Sequence, residues 1–168
     1  MNHNFPQVII ISGTPGVGKT SVSIELQKQG YSILNLNDFI IASGLYFGYD
    51  YSRESVIIDD EILIEKLTEE FAQFKGILFV EGHTAELVPN DFVSNIFVIR
   101  CNPSILRTRL QTSRKYTRDK IEDNVQAEIM DDCLLNLQHK FPKISINELD
   151  SSNFDSKTLA NKILEIIN

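Results

Sequence analysis

Tryptophan is missing from this 168-residue chain, cysteine occurs only twice and histidine three times. Cys101 and Cys133 stand far apart in neither a CxxC nor a CxxxC arrangement, so the spacing supports neither a disulfide framework nor a cysteine metal site, and buried thiols are expected. No apolar run approaches the roughly 20 residues that a membrane-spanning helix needs, so a soluble protein with no membrane partner is expected. The opening MNHNFPQ carries no basic segment ahead of its apolar run and no cleavage signal after it, which reads as cytoplasmic rather than secreted. Repeats, low-complexity tracts and linkers rich in Pro, Gly or Ser are absent too, so residues 1–168 are expected to form one domain that buries its own core. Basic residues are in short supply: 16 Lys and Arg face 23 Asp and Glu, for a net charge of −7. Such a molecule repels phosphate backbones, so little direct nucleic-acid binding is expected, and a basic protein is the better macromolecular partner.

What the chain has is alternation. Val8 to Ser12 is a β-branched run ending at Gly13, as suits a strand buried on both faces of a parallel sheet. A helix over 19–29 stops at Gly30. A short strand at 32–36 leads to a helix capped by Asn37 or Asp38 and ending near Gly44, and 45–55, polar and aromatic, reads as irregular. Apolar residues at 62, 63, 67, 71 and 74 have helical spacing, and Gly76 precedes the apolar strand Ile77 to Val80. Another strand fits Ile96 to Arg100, and Pro103 opens a helix to about Thr112. A single long helix is expected from Arg118 or Asp119 to about His139, stopped by Pro142, then a strand at 144–146 and a last helix over 156–167. This pattern predicts an α/β fold: a five-stranded parallel sheet, helices on both faces, and a ligand site at the strands' carboxyl ends.

Between the first strand and the first helix stands Gly13-Thr-Pro-Gly16-Val-Gly18-Lys19-Thr20, a full match to the phosphate-loop pattern GxxxxGK(S/T). Phosphate oxygens need several backbone N–H groups at once, and glycines let the chain wrap closely around them. The positive end of the following helix adds attraction for the anion. Gly13, Pro15, Gly16, Val17, Gly18, Lys19, Thr20 and Ser21 are therefore the candidate contacts to ATP, with Lys19 on the β- and γ-phosphates and the Thr20 hydroxyl on Mg²⁺.

A regulatory GTPase would need NKxD, and the nearest string, Asn161-Lys162-Ile163-Leu164, lacks the aspartate. DxxG is absent as well, and the length leaves no room for the extra strands of a motor or helicase core. What remains is a small kinase, or an ATPase built like one. Such an enzyme brings late arginines on a lid to the transferring phosphoryl group, and Arg107, Arg109, Arg114 and Arg118 cluster in and before the polar segment 113–120. Glu81, at the carboxyl end of a strand, is the second candidate for Mg²⁺. His83 reads equally as a group that orients water or follows nucleotide state and as an ordinary loop histidine.

The strings IISGTPGVGKTS, LYFGYDYSRESVIIDDE, VEGHTAELVP and IFVIRCNPSILRTRLQTSRKYTRDKIEDNVQAEI together resemble the adenylate kinase isoenzyme 6 family, found in archaea and nuclear in eukaryotes, from about Val8 to Ile167. The resemblance implies an adenylate kinase-like three-layer P-loop fold with an acceptor-binding insertion at about 37–60 and a short lid at about 113–120. It implies phosphoryl transfer from MgATP to AMP or a related monophosphate, ATPase activity, and work in small-subunit ribosomal RNA maturation through a basic ribosomal protein. Arg109 and Arg114 would neutralise the phosphates. Asp38, Tyr49, Arg53, Gly82 and His83 would serve the acceptor side, and Asn153 in the loop 150–153 the adenine. Two departures stand out: Glu81 replaces the family's usual aspartate, and Ile41 stands where an acceptor arginine is expected, with Arg53 the only nearby substitute. Each missing charge-assisted hydrogen bond to phosphate costs about 1.5–3 kcal/mol. Two readings therefore stay open, a nucleoside monophosphate kinase and an assembly-factor ATPase.

Overall fold

The computed structural model describes residues 6–51, 55–113 and 116–167. In chain order the first half contains β1 (Gln7–Ser12), α1 (Lys19–Lys28), β2 (Ser32–Asn35), α2 (Leu36–Ala42), β3 (Tyr46–Asp50), β4 (Ser55–Ile58), α3 (Asp60–Gln73) and β5 (Ile77–Glu81). The second contains β6 (Val93–Arg100), α4 (Pro103–Ser113), α5 (Arg118–Ile129), α6 (Asp132–Lys140), β7 (Ile146–Asp150) and α7 (Ser156–Ile167). Five strands form a parallel sheet in the order β2-β5-β1-β6-β7, and β3 and β4 pair separately as an antiparallel hairpin.

Strand periodicity explains the three layers. Ile9, Ile11, Phe79, Phe97 and Ile99 point to one face, where Leu26 of α1, Leu110 of α4, Val125 of α5 and Ile163 of α7 cover them. Val8, Ile10, Val80, Ile96 and Val98 point to the other, under Leu36 of α2, Leu67 and Phe71 of α3 and Leu137 of α6. Both sets are buried, which is why the central strands read as unbroken apolar runs. Each such side chain contributes roughly 1.5–3 kcal/mol on burial.

Several sequence expectations need correction. The long helix expected over 118–139 is two helices: Met130 ends α5, and Asp131 takes a left-handed φ of 58° before α6 begins. The break is forced by packing, because Ile121 and Val125 belong to one face of the sheet while Leu137 and Phe141 belong to the other. Within 45–55, expected irregular, the described residues hold β3 and the first residue of β4, consistent with the aromatic and β-branched content of YFGYD and SVII, and 52–54 lie outside the described residues. The cap of α2 is neither Asn37 nor Asp38 but Asn35, whose side-chain oxygen accepts from the Asp38 N–H, because the helix starts directly off β2. The last strand lies at 146–150 rather than 144–146, and Ile62 stays exposed while Leu63, Leu67 and Phe71 fill the core. Among the described residues no helix is long and apolar enough to cross a membrane.

Candidate active site

β1 lies between β5 and β6, so the chain leaving its carboxyl end emerges where the sheet's connections diverge, the usual crevice of such sheets. Gly13, Gly16 and Gly18 take φ values of 139°, 94° and 109°, which fold the loop back before α1 begins at Lys19. No acidic side chain occupies the first turn of α1, so its positive end is uncompensated. Lys19, only 9% exposed, lies along the loop and donates from Nζ to the Gly13 carbonyl at 2.6 Å and the Thr14 carbonyl at 3.0 Å. Thr20 Oγ1 donates to Glu81 Oε1 at 2.7 Å, and Glu81 is 3% exposed. Glu81 pairs in register with Ile11, and Gly82 N donates to the Ile11 carbonyl at 3.2 Å, which sets the acidic strand end beside the start of the loop. The sequence-predicted loop, lysine, hydroxyl and carboxylate are thus brought together.

Arg109 reaches the same loop from α4, by its outer shoulder. Its Nη1 donates to the Val17 carbonyl at 3.2 Å and to Ser151 Oγ at 3.0 Å, and Nη2 donates to the Ser151 carbonyl at 2.8 Å. Ser151 Oγ in turn donates to the Val17 carbonyl at 2.6 Å, fastening the β7–α7 connection to the loop. A cavity of about 290 Å³ opens there, lined by Gly16, Gly18, Ser21, Arg109, Ser151 and Phe154. Its guanidinium and half-exposed aromatic ring suit the flat faces of a nucleobase. Asn153, the residue expected at the adenine, donates from its amide to Asp150 Oδ2 at 2.9 Å and lines a different cavity, beside Arg100 and Asn102. Ser151 and Phe154 are what stands beside the loop, and only a polar residue directly after a strand and an aromatic just before a helix signalled them.

Arg107 points elsewhere, binding Glu122 of α5 at 2.7 and 3.0 Å on the surface. The pair raises the guanidinium's pKa through the hydrogen bond and charge of Glu122, and the same hydrogen bond lowers that of the carboxyl. Arg107→Ala is therefore expected to leave ATP turnover within about a factor of two, since solvent screens an exposed pair that points away from the loop; a steady-state assay checks this. Arg53 and Arg114 lie outside the described residues.

On the other side of Thr20 and Glu81, a cavity of about 460 Å³ runs between α1 and α2, lined also by Ser23, Asn35, Asp38 and Phe39. Its described lining contains no lysine or arginine. The Ser23 hydroxyl on its wall is buried without a hydrogen-bond partner, and Ile41 is 50% exposed. Of the other acceptor-side candidates, Asp38 lines this cavity, whereas Tyr49 sits in the hairpin with its ring edge-on to Tyr51 at 5.1 Å. Gly82 is demanded by packing, because a Cβ there would lie 2.6 Å from Leu36 Cδ1. His83 is exposed on the loop after β5, and its carbonyl accepts from Cys133 Sγ at 3.9 Å. Burial pushes the Cys133 thiol's pKa up, against the opposing pull of the Lys19 ammonium.

A phosphate loop with its lysine and helix-start hydroxyl, an acidic residue on the neighbouring strand and a parallel sheet beneath them define a P-loop nucleotide kinase, a phosphotransferase. Residues 9–131 match the family model described as AAA domain. The chain is 35% identical to the protein named "Putative adenylate kinase" of Methanocaldococcus jannaschii, over 95% of this chain and 85% of that one. It is 36% identical to the adenylate kinase isoenzyme 6 homolog FAP7 of Saccharomyces cerevisiae, over 73% of this chain and 61% of the other. The chain belongs to the adenylate kinase isoenzyme 6 family. Among solved structures its fold is shared with a shikimate kinase of Bacteroides thetaiotaomicron (TM-score 0.59, 17% identity, 96% of this chain and 98% of that one). The tunicamycin resistance protein of Deinococcus radiodurans shares it too (TM-score 0.63, 16% identity, 97% of this chain and 96% of that one).

Proposed function

We propose that this protein transfers the γ-phosphoryl group of ATP to AMP, giving two ADP, with ATP held by residues 13–21. The observation that carries the reading is the buried Lys19 lying along the loop beside the Thr20–Glu81 pair. Thr20 Oγ1 and the Glu81 carboxylate are hard oxygen donors side by side, the donor set that Mg²⁺ takes together with phosphate oxygens. Bound there, the ion would neutralise charge on the β- and γ-phosphates. Lys19 would leave the Gly13 and Thr14 carbonyls for the phosphates, while Arg109 and Phe154 flank the base. Arg114, from the lid, would neutralise the transferring group, and the cavity holding Asp38 would receive the acceptor, with Arg53, Tyr49, Gly82 and His83 on that side.

A second reading, an ATPase that assists small ribosomal subunit maturation by acting on a basic ribosomal protein, is favoured by one observation. The described lining of the acceptor-side cavity offers no cation to a monophosphate, and the family resemblance puts Ile41 where an arginine is expected. The net charge of −7 suits a basic partner.

Following ADP and inorganic phosphate from MgATP, with and without AMP, separates the two. Two ADP formed per ATP consumed, strictly dependent on AMP, supports transfer. Phosphate release that ignores AMP leaves only the ATPase. Ile41→Arg is expected to lower the KM for AMP by about tenfold, the worth of one charge-assisted hydrogen bond to phosphate. An unchanged KM for AMP would remove Ile41 from the acceptor site.

A further inference from the structure

The carboxyl end of α5 stands against the phosphate loop. Glu128, in its last turn, is 4% exposed, and its carboxylate is shared between two elements. Oε2 accepts the hydroxyl of Thr14, the second residue of the loop. Oε1 accepts Arg100 Nε at 2.9 Å and the Cys101 N–H at 3.0 Å, both where β6 ends. Thr14 is itself 1% exposed, and its carbonyl accepts from Lys19 Nζ at 3.0 Å. An unbroken run of contacts therefore leads from β6 through Glu128 and Thr14 to the loop lysine.

Balancing the charge of Arg100 does not explain this arrangement. Arg100 also binds Asp131 and, at 2.7 Å, Glu148, so two other carboxylates already serve it. Although burial alone would lower it, the hydrogen bonds of Glu128 and Asp131 hold its pKa above the ordinary guanidinium value. A buried carboxylate is costly to desolvate unless its oxygens are fully used, and the remaining oxygen of Glu128 is spent on Thr14. The left-handed Asp131 lets α5 stop there instead of running past the loop.

We propose that Glu128 is a positioning residue for nucleotide binding, holding Thr14 so that the loop keeps the shape that receives the phosphates. It acts through Thr14 and touches no substrate. Because α5 starts at Arg118, inside the polar stretch 113–120, its twelve residues, about 18 Å of helix, run from that stretch to the phosphate loop. The proposal rests on the reading that residues 13–20 bind a nucleotide.

The test is calorimetric ADP binding with Mg²⁺, together with ATP turnover, on the full chain and on Thr14→Val, Thr14→Ser and Glu128→Gln. Thr14→Val keeps the shape and removes the hydroxyl, so it is expected to weaken ADP binding by about tenfold, the loss of one hydrogen bond to a charged group. Thr14→Ser should recover most of that loss. Glu128→Gln should raise the KM for ATP more than it lowers kcat, and combining it with Thr14→Val should add little to Thr14→Val alone. A purely structural role would lower the melting temperature of Glu128→Gln and leave these ratios unmoved. Normal ADP binding by Thr14→Val, or losses that multiply in the double variant, overturns the positioning role while leaving the loop's function intact. No binding by the unaltered protein overturns both.

Discussion

Lys19→Met is expected to lower ATP turnover by about three orders of magnitude, at the upper end of what removing one preorganised electrostatic group costs. The methionine keeps the stem that is buried with Lys19 and removes only the ammonium. In the structure that ammonium donates to the Gly13 and Thr14 carbonyls, so its loss also frees two acceptors on the loop. The expected signature is therefore a large fall in kcat with a folded protein, read by single-turnover phosphate or ADP formation alongside a thermal melt. Among the described residues Lys19 is the buried cation at the loop, and Arg109 instead bonds the Val17 carbonyl and Ser151 at the loop's outer shoulder. Retention of more than about a tenth of the parental rate would mean that another cation serves the phosphates, contrary to the expected electrostatic role.

The parts of this enzyme legible in its sequence are those fixed by residues close together along the chain. The phosphate loop needs only eight consecutive positions, and β1, β5 and β6 announce themselves because both faces of each are apolar. Glu81 could be placed beside the loop because a strand of known direction delivers it there. What escaped depends on long-range packing. The break at Met130–Asp131 exists because α5 and α6 must cover opposite faces of the sheet, a demand invisible in the local helical pattern of 118–139. The arginine cluster separates in space: Arg107 is taken by Glu122, while Arg109 holds the loop against Ser151. Ser151 and Phe154 line the cavity beside the loop only because β7 lies next to β6, a pairing that spacing alone does not reveal. Glu128 escaped for the same reason, being 114 residues from the Thr14 hydroxyl it accepts.

Gly13→Ala is expected to be the most damaging single-methyl change in the loop, and for a reason the phosphate-binding pattern does not contain. A Cβ at this position would stand 2.4 Å from the Ile99 carbonyl oxygen and 3.1 Å from Val17 Cγ2. The first of these is backbone in the middle layer of the sheet, so no side chain can rotate away. The residue also holds φ at +139°, where an L side chain is strained before any neighbour is counted. Strain and overlap together are expected to cost about 3 kcal/mol or more, a fall of roughly 6–12 °C in Tm for a domain of this size. Gly18→Ala provides the comparison: its φ is +109°, yet nothing lies within 4 Å of the added methyl, so only backbone strain of about 1–3 kcal/mol remains. Gly16 falls between them, because its methyl would meet the flexible end of Leu110 at 2.6 Å. Thermal unfolding of the three variants should therefore rank Gly13→Ala lowest, then Gly16→Ala, then Gly18→Ala. If Gly13→Ala melted with or above Gly18→Ala, the close contact between the loop and β6 would be wrong, and with it the claim that this glycine serves the sheet as well as the phosphates.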